Sequence, residues 1–125
     1  MPQVEAGACG KPVISIAAMG MLDTLIHDQT ALLASIAETN YIHESVLGPE
    51  LGFPGGKRIT FDPPRVADYR ASIPELRDFL EALLRDPALR ARLGNQARAH
   101  IVEQFDYKKV ARHFVDILTE RLGIR

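Results

Sequence analysis

Apolar positions in the last part of the chain recur at helical spacing. Leu76, Phe79, Leu80, Leu83 and Leu84 form one such stripe. It follows Ser72-Ile73-Pro74-Glu75, a capping box in which each side chain can satisfy the other's free backbone N–H. Asp86-Pro87 predicts the next helix start, a capping carboxylate with proline in the first turn. Leu89, Leu93, Ala97, Ile101 and Phe105 mark the buried face of that helix. Asp106 predicts the cap of a final helix, with Val110, Phe114, Ile117, Leu118 and Leu122 on its apolar face and Gly123 as its stop.

The first part reads differently. Residues 2–9 predict a short helix, since Pro2 suits a first turn, Gly10 suits a C-terminal stop and Pro12 prevents continuation. Pro12-Val13-Ile14-Ser15-Ile16 is β-branched and predicts a short buried strand. Residues 21–27 predict a second short helix with Met21, Leu22, Leu25 and Ile26 on one face, and Thr30-Ala31-Leu32-Leu33 a second strand. The order α-β-α-β points to a parallel sheet covered by helices.

Between these parts, the stretch 35–71 loses periodicity. It holds Pro49, Pro54, Pro63 and Pro64 together with Gly48, Gly52, Gly55 and Gly56. We expect a long insertion or loop here, with a helical turn near 41–47 and a strand at 57–61. Phe53-Pro54-Gly55-Gly56 and Asp62-Pro63-Pro64 are turn signals on either side of that strand. So long a loop inside a compact domain is functional or partly mobile.

Composition narrows the class. A chain of 125 residues, 46% apolar and 25% charged, suits one domain with a single core. No run of about 18 apolar residues occurs, so no transmembrane segment is expected, and no signal peptide is evident. One cysteine, Cys9, rules out an internal disulfide framework and fits a reducing, cytoplasmic setting. The net charge is −1 and neither half is strongly basic, which argues against nucleic-acid binding by charge.

The candidate chemistry lies in Glu5-Ala6-Gly7-Ala8-Cys9-Gly10-Lys11-Pro12-Val13-Ile14. This run resembles the donor-side segment of retaining GT-B glycosyltransferases of the glycosyl transferases group 1 type, which ends Glu-Ala-Met-Ala-Cys-Gly-Lys/Thr-Pro-Val-Ile. Met19-Gly20-Met21-Leu22-Asp23-Thr24-Leu25 resembles the family's Gly-Gly-x-Pro-Glu-x-Val. Ile26 to Leu33 is similar to its Ile-x-x-x-Thr-Gly-Leu-Leu. Asp86-Pro87-Ala88-Leu89-Arg90-Ala91-Arg92-Leu93-Gly94 and Glu103-Gln104-Phe105-Asp106-Tyr107 also look like the family's tail. The resemblance covers residues 2–34 and roughly 72–122. The chain departs from it at Met19 and Leu22, which replace Gly and Pro, and at Ala31, which replaces Gly. The long stretch 35–71 stands where the family has a short loop.

The resemblance implies an α/β fold: a partial Rossmann-like parallel sheet, the C-terminal part of a GT-B donor domain, with three C-terminal helices. It implies one N-terminally truncated donor-side domain over 1–125. The family carries a spaced pair of glutamates; Glu5 matches the second, and the first would precede Met1. By resemblance Glu5 accepts hydrogen bonds from the donor's ribose hydroxyls, a task an ionised carboxylate suits because it can accept from both at once. The family reaction moves a sugar from a nucleotide-diphosphate donor to an acceptor, and a nucleotide-sugar is the implied substrate rather than a cofactor.

The other chemical side chains read as structural. Lys11 follows a helix C-terminus and reads as a solvated cap residue rather than a pyrophosphate ligand. Cys9 has no histidine beside it in sequence and reads as a packing residue rather than a nucleophile. His27, His43, His100 and His113 lack metal-ligand spacing, so no metal is expected. His43-Glu44 lacks the second histidine of a metalloprotease helix, since position 47 is Leu47. Gly52-Phe53-Pro54-Gly55-Gly56-Lys57-Arg58 lacks P-loop spacing and reads as a turn.

Catalytic residues are not identifiable, and activity of the chain alone is not expected, since transfer needs donor and acceptor held in one closed cleft. The apolar face at Phe114, Leu118 and Leu122 implies self-association or a partner chain through the C-terminal helices. The competing expectation is a non-catalytic dimerisation or regulatory subunit derived from a glycosyltransferase.

Overall fold

The computed structural model describes residues 1–52 and 54–123. Phe53, in the turn expected at 53–56, lies outside the described residues. The fold is mixed α/β, with a small parallel sheet followed, after a long β-ribbon, by three C-terminal helices.

Helix α1 (Pro2–Ala8) stops where the sequence says it should. Gly10 takes a left-handed φ of 67°, its N–H donates to the Gly7 carbonyl at 2.8 Å, and the Lys11 N–H donates to the Ala6 carbonyl at 2.9 Å. That paired bonding satisfies two carbonyls at the helix end. Strand β1 (Val13–Ile16) follows, and helix α2 covers only Met21–Thr24. The helix expected over 21–27 is cut short because Leu25 is extended, at φ −123° and ψ 142°. Leu25 is buried there, but Leu22 and Ile26 are exposed.

Strand β2 (Ala31–Ala34) pairs parallel to β1, Val13 opposite Ala31 and Ile16 opposite Ala34. All four β2 residues are buried, as expected of a strand covered on both faces. Ala31 and Leu33 pack with Leu25 on one face, supported by Val13, Ala17 and Met21. Leu32 points the other way, into Leu83 and Leu93, with Ile14, Phe79 and Leu89 around them. Among the described residues the sheet has these two strands.

The stretch expected as a loop is a two-stranded antiparallel ribbon, β3 (Ile36–Leu47) and β4 (Lys57–Ala71). The helical turn expected near 41–47 is wrong; those residues belong to β3. The strand expected at 57–61 runs on to Ala71. Pro63 and Pro64 are accommodated because the register jumps there: Ile42 faces Arg65 while Glu44 faces Thr60, so 61–64 bulge out opposite His43. Proline cannot donate to a ladder, and a bulge is where a strand tolerates it. Arg58 pairs with Glu44 at 2.8 Å and Asn40 donates to Asp68 at 2.5 Å across the strands, which helps hold the register.

Helices α3 (Ile73–Arg85), α4 (Pro87–Gln104) and α5 (Tyr107–Leu122) begin at Ser72, Asp86 and Asp106, each of whose side chains caps its helix. Helix α4 is the centre of the assembly. It buries Leu93, Gly94, Ala97 and Ile101. A Cβ on Gly94 would overlap the Gly10 carbonyl, and one on Gly7 would come within 2.9 Å of the Ile101 side chain. Glycine at 94 lets α4 touch the backbone just past the end of α1, and glycine at 7 makes room for the Ile101 side chain. Three arginines of α4 reach outward: Arg90 to the Leu83 and Leu84 carbonyls, Arg92 to Asp28, and Arg98 to the Ala8 carbonyl. Arg90 and Arg98 thereby satisfy the free C-terminal carbonyls of α3 and α1. Helix α5 buries none of its residues. Among the described residues, no helix is long and apolar enough to cross a membrane.

Candidate functional site

The hairpin-like turn from α1 into β1 leaves an open cleft of about 430 Å³ beside the first strand. Pro2, Gln3 and Ala6 of α1 form one wall, Pro12, Val13 and Ser15 the floor, and Met21 of α2 the far side. Val13 and Ser15 share a face because strand side chains alternate. The lining is mainly apolar, with Gln3 and Ser15 as its polar groups, and among the described residues it contains no cation. Gln3 Nε2 donates to Thr24 Oγ1 at 3.5 Å, which links the first wall to α2. Such a cleft suits a flat, partly apolar ligand group but supplies nothing to neutralise a pyrophosphate.

Glu5 sits on α1 outside that lining. Its carboxylate is 79% exposed and lies 3.5 Å from the Met1 amino group, an i,i+4 ion pair on the helix surface. Lys11 is exposed at the start of the turn into β1, and Cys9 is exposed with a free thiol rather than packed in the helix end. The structure therefore does not gather Glu5, Lys11 and Cys9 into one pocket. Met19, which stands where the resembled pattern has glycine, has a left-handed φ of 53°. A non-glycine residue is uncommon in that region, and here its side chain is 72% exposed.

A second polar cluster, which the sequence did not announce, lies where β2 ends. The Ser35 N–H donates to Glu75 at 2.6 Å and its hydroxyl donates to the same carboxylate at 2.8 Å. The capping box at Ser72 is therefore half formed: Ser72 Oγ accepts from the Glu75 N–H at 3.5 Å, but the Glu75 carboxylate turns to Ser35. The Ser72 N–H donates to the Ser35 carbonyl at 2.9 Å. The two Ser35 hydrogen bonds, backbone first, hold the Glu75 carboxyl below its ordinary value of 4.5.

Beside this cluster His27 Nδ1 accepts the Leu33 N–H at 2.9 Å, closing part of the free edge of β2, and its ring lies 5.8 Å from Phe79. Asp28, at φ 56°, pairs through its carboxylate with Arg92 at 2.8 Å, and the Arg92 guanidinium also donates to its carbonyl at 2.7 Å. The hydrogen bond from Arg92 and then its charge hold the Asp28 carboxyl below the ordinary 3.8. Serine with glutamate, and histidine engaged with the backbone, make a brace and not a nucleophilic triad. The only advance signal was the polar Ser35 directly after four apolar residues.

Among the described residues, no group of three His, Cys, Asp or Glu side chains is placed to hold a metal ion. No protein-family model, no curated protein and no solved structure matches the chain.

Proposed function

We propose that this chain is a donor-side module of the retaining GT-B glycosyltransferase type, with Glu5 as the inherited ribose-binding position and the sheet as part of a Rossmann-like layer. The observation that carries this reading is local. The run resembling the family motif forms a helix, a left-handed glycine, a proline and a strand. The strand that follows α2 then lies parallel to the first. The left-handed Met19, at a glycine position of the resembled pattern, supports it independently.

On this reading the module contacts the nucleoside end of a nucleotide-sugar and does not transfer the sugar by itself. Among the described residues the cleft beside β1 has no cation in its lining, so on this reading the groups that bind the pyrophosphate come from elsewhere. The same observation, together with Glu5 lying outside the cleft, favours a second reading: a non-catalytic dimerisation or regulatory subunit descended from such an enzyme. A cytoplasmic setting suits either, because an exposed free cysteine persists best under reducing conditions.

Titration calorimetry of the chain with UDP and GDP tests the first reading, with Glu5→Ala as the control. Saturable binding that Glu5→Ala weakens at least tenfold supports a retained donor site. No heat with either nucleotide, or binding indifferent to Glu5, removes it. Sugar transfer by the purified chain would overturn the expectation of inactivity.

A further inference from the structure

Helix α5 carries an apolar stripe that the chain leaves uncovered. Val110 is 49% exposed, Phe114 61%, Ile117 37% and Leu118 38%. At 100° per residue, Val110, Phe114 and Ile117 lie along one seam, with Leu118 on one flank of it. The opposite flank is polar and its residues are ordered. Lys109 and His113 occupy its N-terminal half and Glu120 its C-terminal half, with Asp116 at its outer edge.

We propose that the occupant of this face is a second copy of the same chain, with two α5 helices packed antiparallel about a two-fold axis between Phe114 and Ile117. The charge order selects the partner and the direction. Antiparallel packing sets each flank against its own counterpart, so Phe114 of one copy meets Ile117 of the other. Glu120 of each copy then falls between Lys109 and His113 of its mate. A parallel pair would instead set this flank of each copy against the Leu118 flank of its mate and would keep Lys109 and Glu120 apart. Isologous contact of this kind needs one self-complementary patch, which α5 supplies. Flanking charges of this sort choose partner and orientation, while the apolar seam supplies the affinity. Arg121 comes at the end of the seam, where a long side chain can lay its stem on apolar surface and keep its head in water.

The inference does not rest on the glycosyltransferase reading. Sedimentation equilibrium of the whole chain decides it, with nucleotide absent so that the two ideas fail separately. The wild type should approach twice 13.8 kDa as concentration rises. Phe114→Asp should hold the chain at monomer mass with an unchanged far-UV spectrum. Glu120→Lys should weaken association about tenfold, and the double exchange Lys109→Glu with Glu120→Lys should restore most of it. A wild type that stays monomeric throughout, including one that binds some other protein through α5, overturns the proposal. So does a double exchange no better than the single one.

Discussion

Helices α4 and α5 invite comparison because they are built alike and placed differently. They have 18 and 16 residues, and each begins at an aspartate whose carboxylate accepts two backbone N–H groups. Helix α4 buries a stripe made of Leu93, Gly94, Ala97 and Ile101, half of it glycine and alanine. Helix α5 carries larger side chains, Phe114 and Leu122 among them, and buries none. Side-chain size therefore does not decide which helix enters the core here. Small residues let α4 come against the backbone just past the end of α1, and three arginines then fix it to its neighbours. Large apolar residues on α5 remain exposed.

Removing the centre of α4 should give the largest effect. Leu93 has no exposed surface, so Leu93→Ala should cost about 2–5 kcal/mol in urea unfolding, the range for a buried leucine lost to a cavity. Next comes Gly94→Ala, which forces α4 away from the Gly10 carbonyl and should cost about 1–3 kcal/mol, as overpacking does. Equal stability of this variant and wild type would show that backbone contact is not what seats α4.

The two caps separate the helices more finely. Asp86→Ala and Asp106→Ala each remove a cap of about 1 kcal/mol. The first should lower the melting temperature of the whole chain. The second should reduce helix content with little change in melting, because α5 is not packed into the core. Matching melting shifts for both would erase the distinction.

Acidification acts on the braces of the body. The Glu75 and Asp28 carboxyls are depressed in the folded chain, so their contribution is full above the ordinary values of 4.5 and 3.8 and is lost as pH falls through the lower folded values. Stability should fall from pH 5 towards pH 3, and Glu75→Gln should flatten that slope. A Glu75→Gln profile parallel to wild type would remove Ser35–Glu75 from the account. The smallest effect belongs to Phe114→Ala, which in dilute solution should change unfolding by no more than about 0.5 kcal/mol, as exposed positions do.

The sequence displayed these regions unequally. The three late helices were legible because Ser72, Asp86 and Asp106 announce their starts and leucines repeat behind them. Strand β1 was legible from its β-branched content and the proline before it, and the parallel pairing from the α-β-α-β order. The ribbon was not, because its register shifts between Asn40 and Tyr41 and again between Ile42 and Glu44, which breaks the alternation that marks a strand. Gly94 escapes an apolar count because a glycine contributes nothing to it, although it stands beside Leu93 on the buried face. Glu75 was expected to serve Ser72 alone; its tie to Ser35 spans 40 residues of sequence, beyond any local pattern. Glu5 was recognisable by resemblance, but spacing does not reveal that α1 turns it away from the cleft.

One consequence concerns Ser35 and Ser72. Their backbones are hydrogen-bonded at 2.9 Å, so the chain leaves the body and returns to it through a single doorway. Everything between them, residues 36–71, hangs on that doorway as an appendage whose two roots touch. Such a segment can grow, shrink or be exchanged for another over evolutionary time without rerouting the rest of the polypeptide, since its two ends leave the body side by side. The ribbon is then best seen as a graft, and the Glu75 brace as the knot that lets the stock hold its form whatever is grafted there.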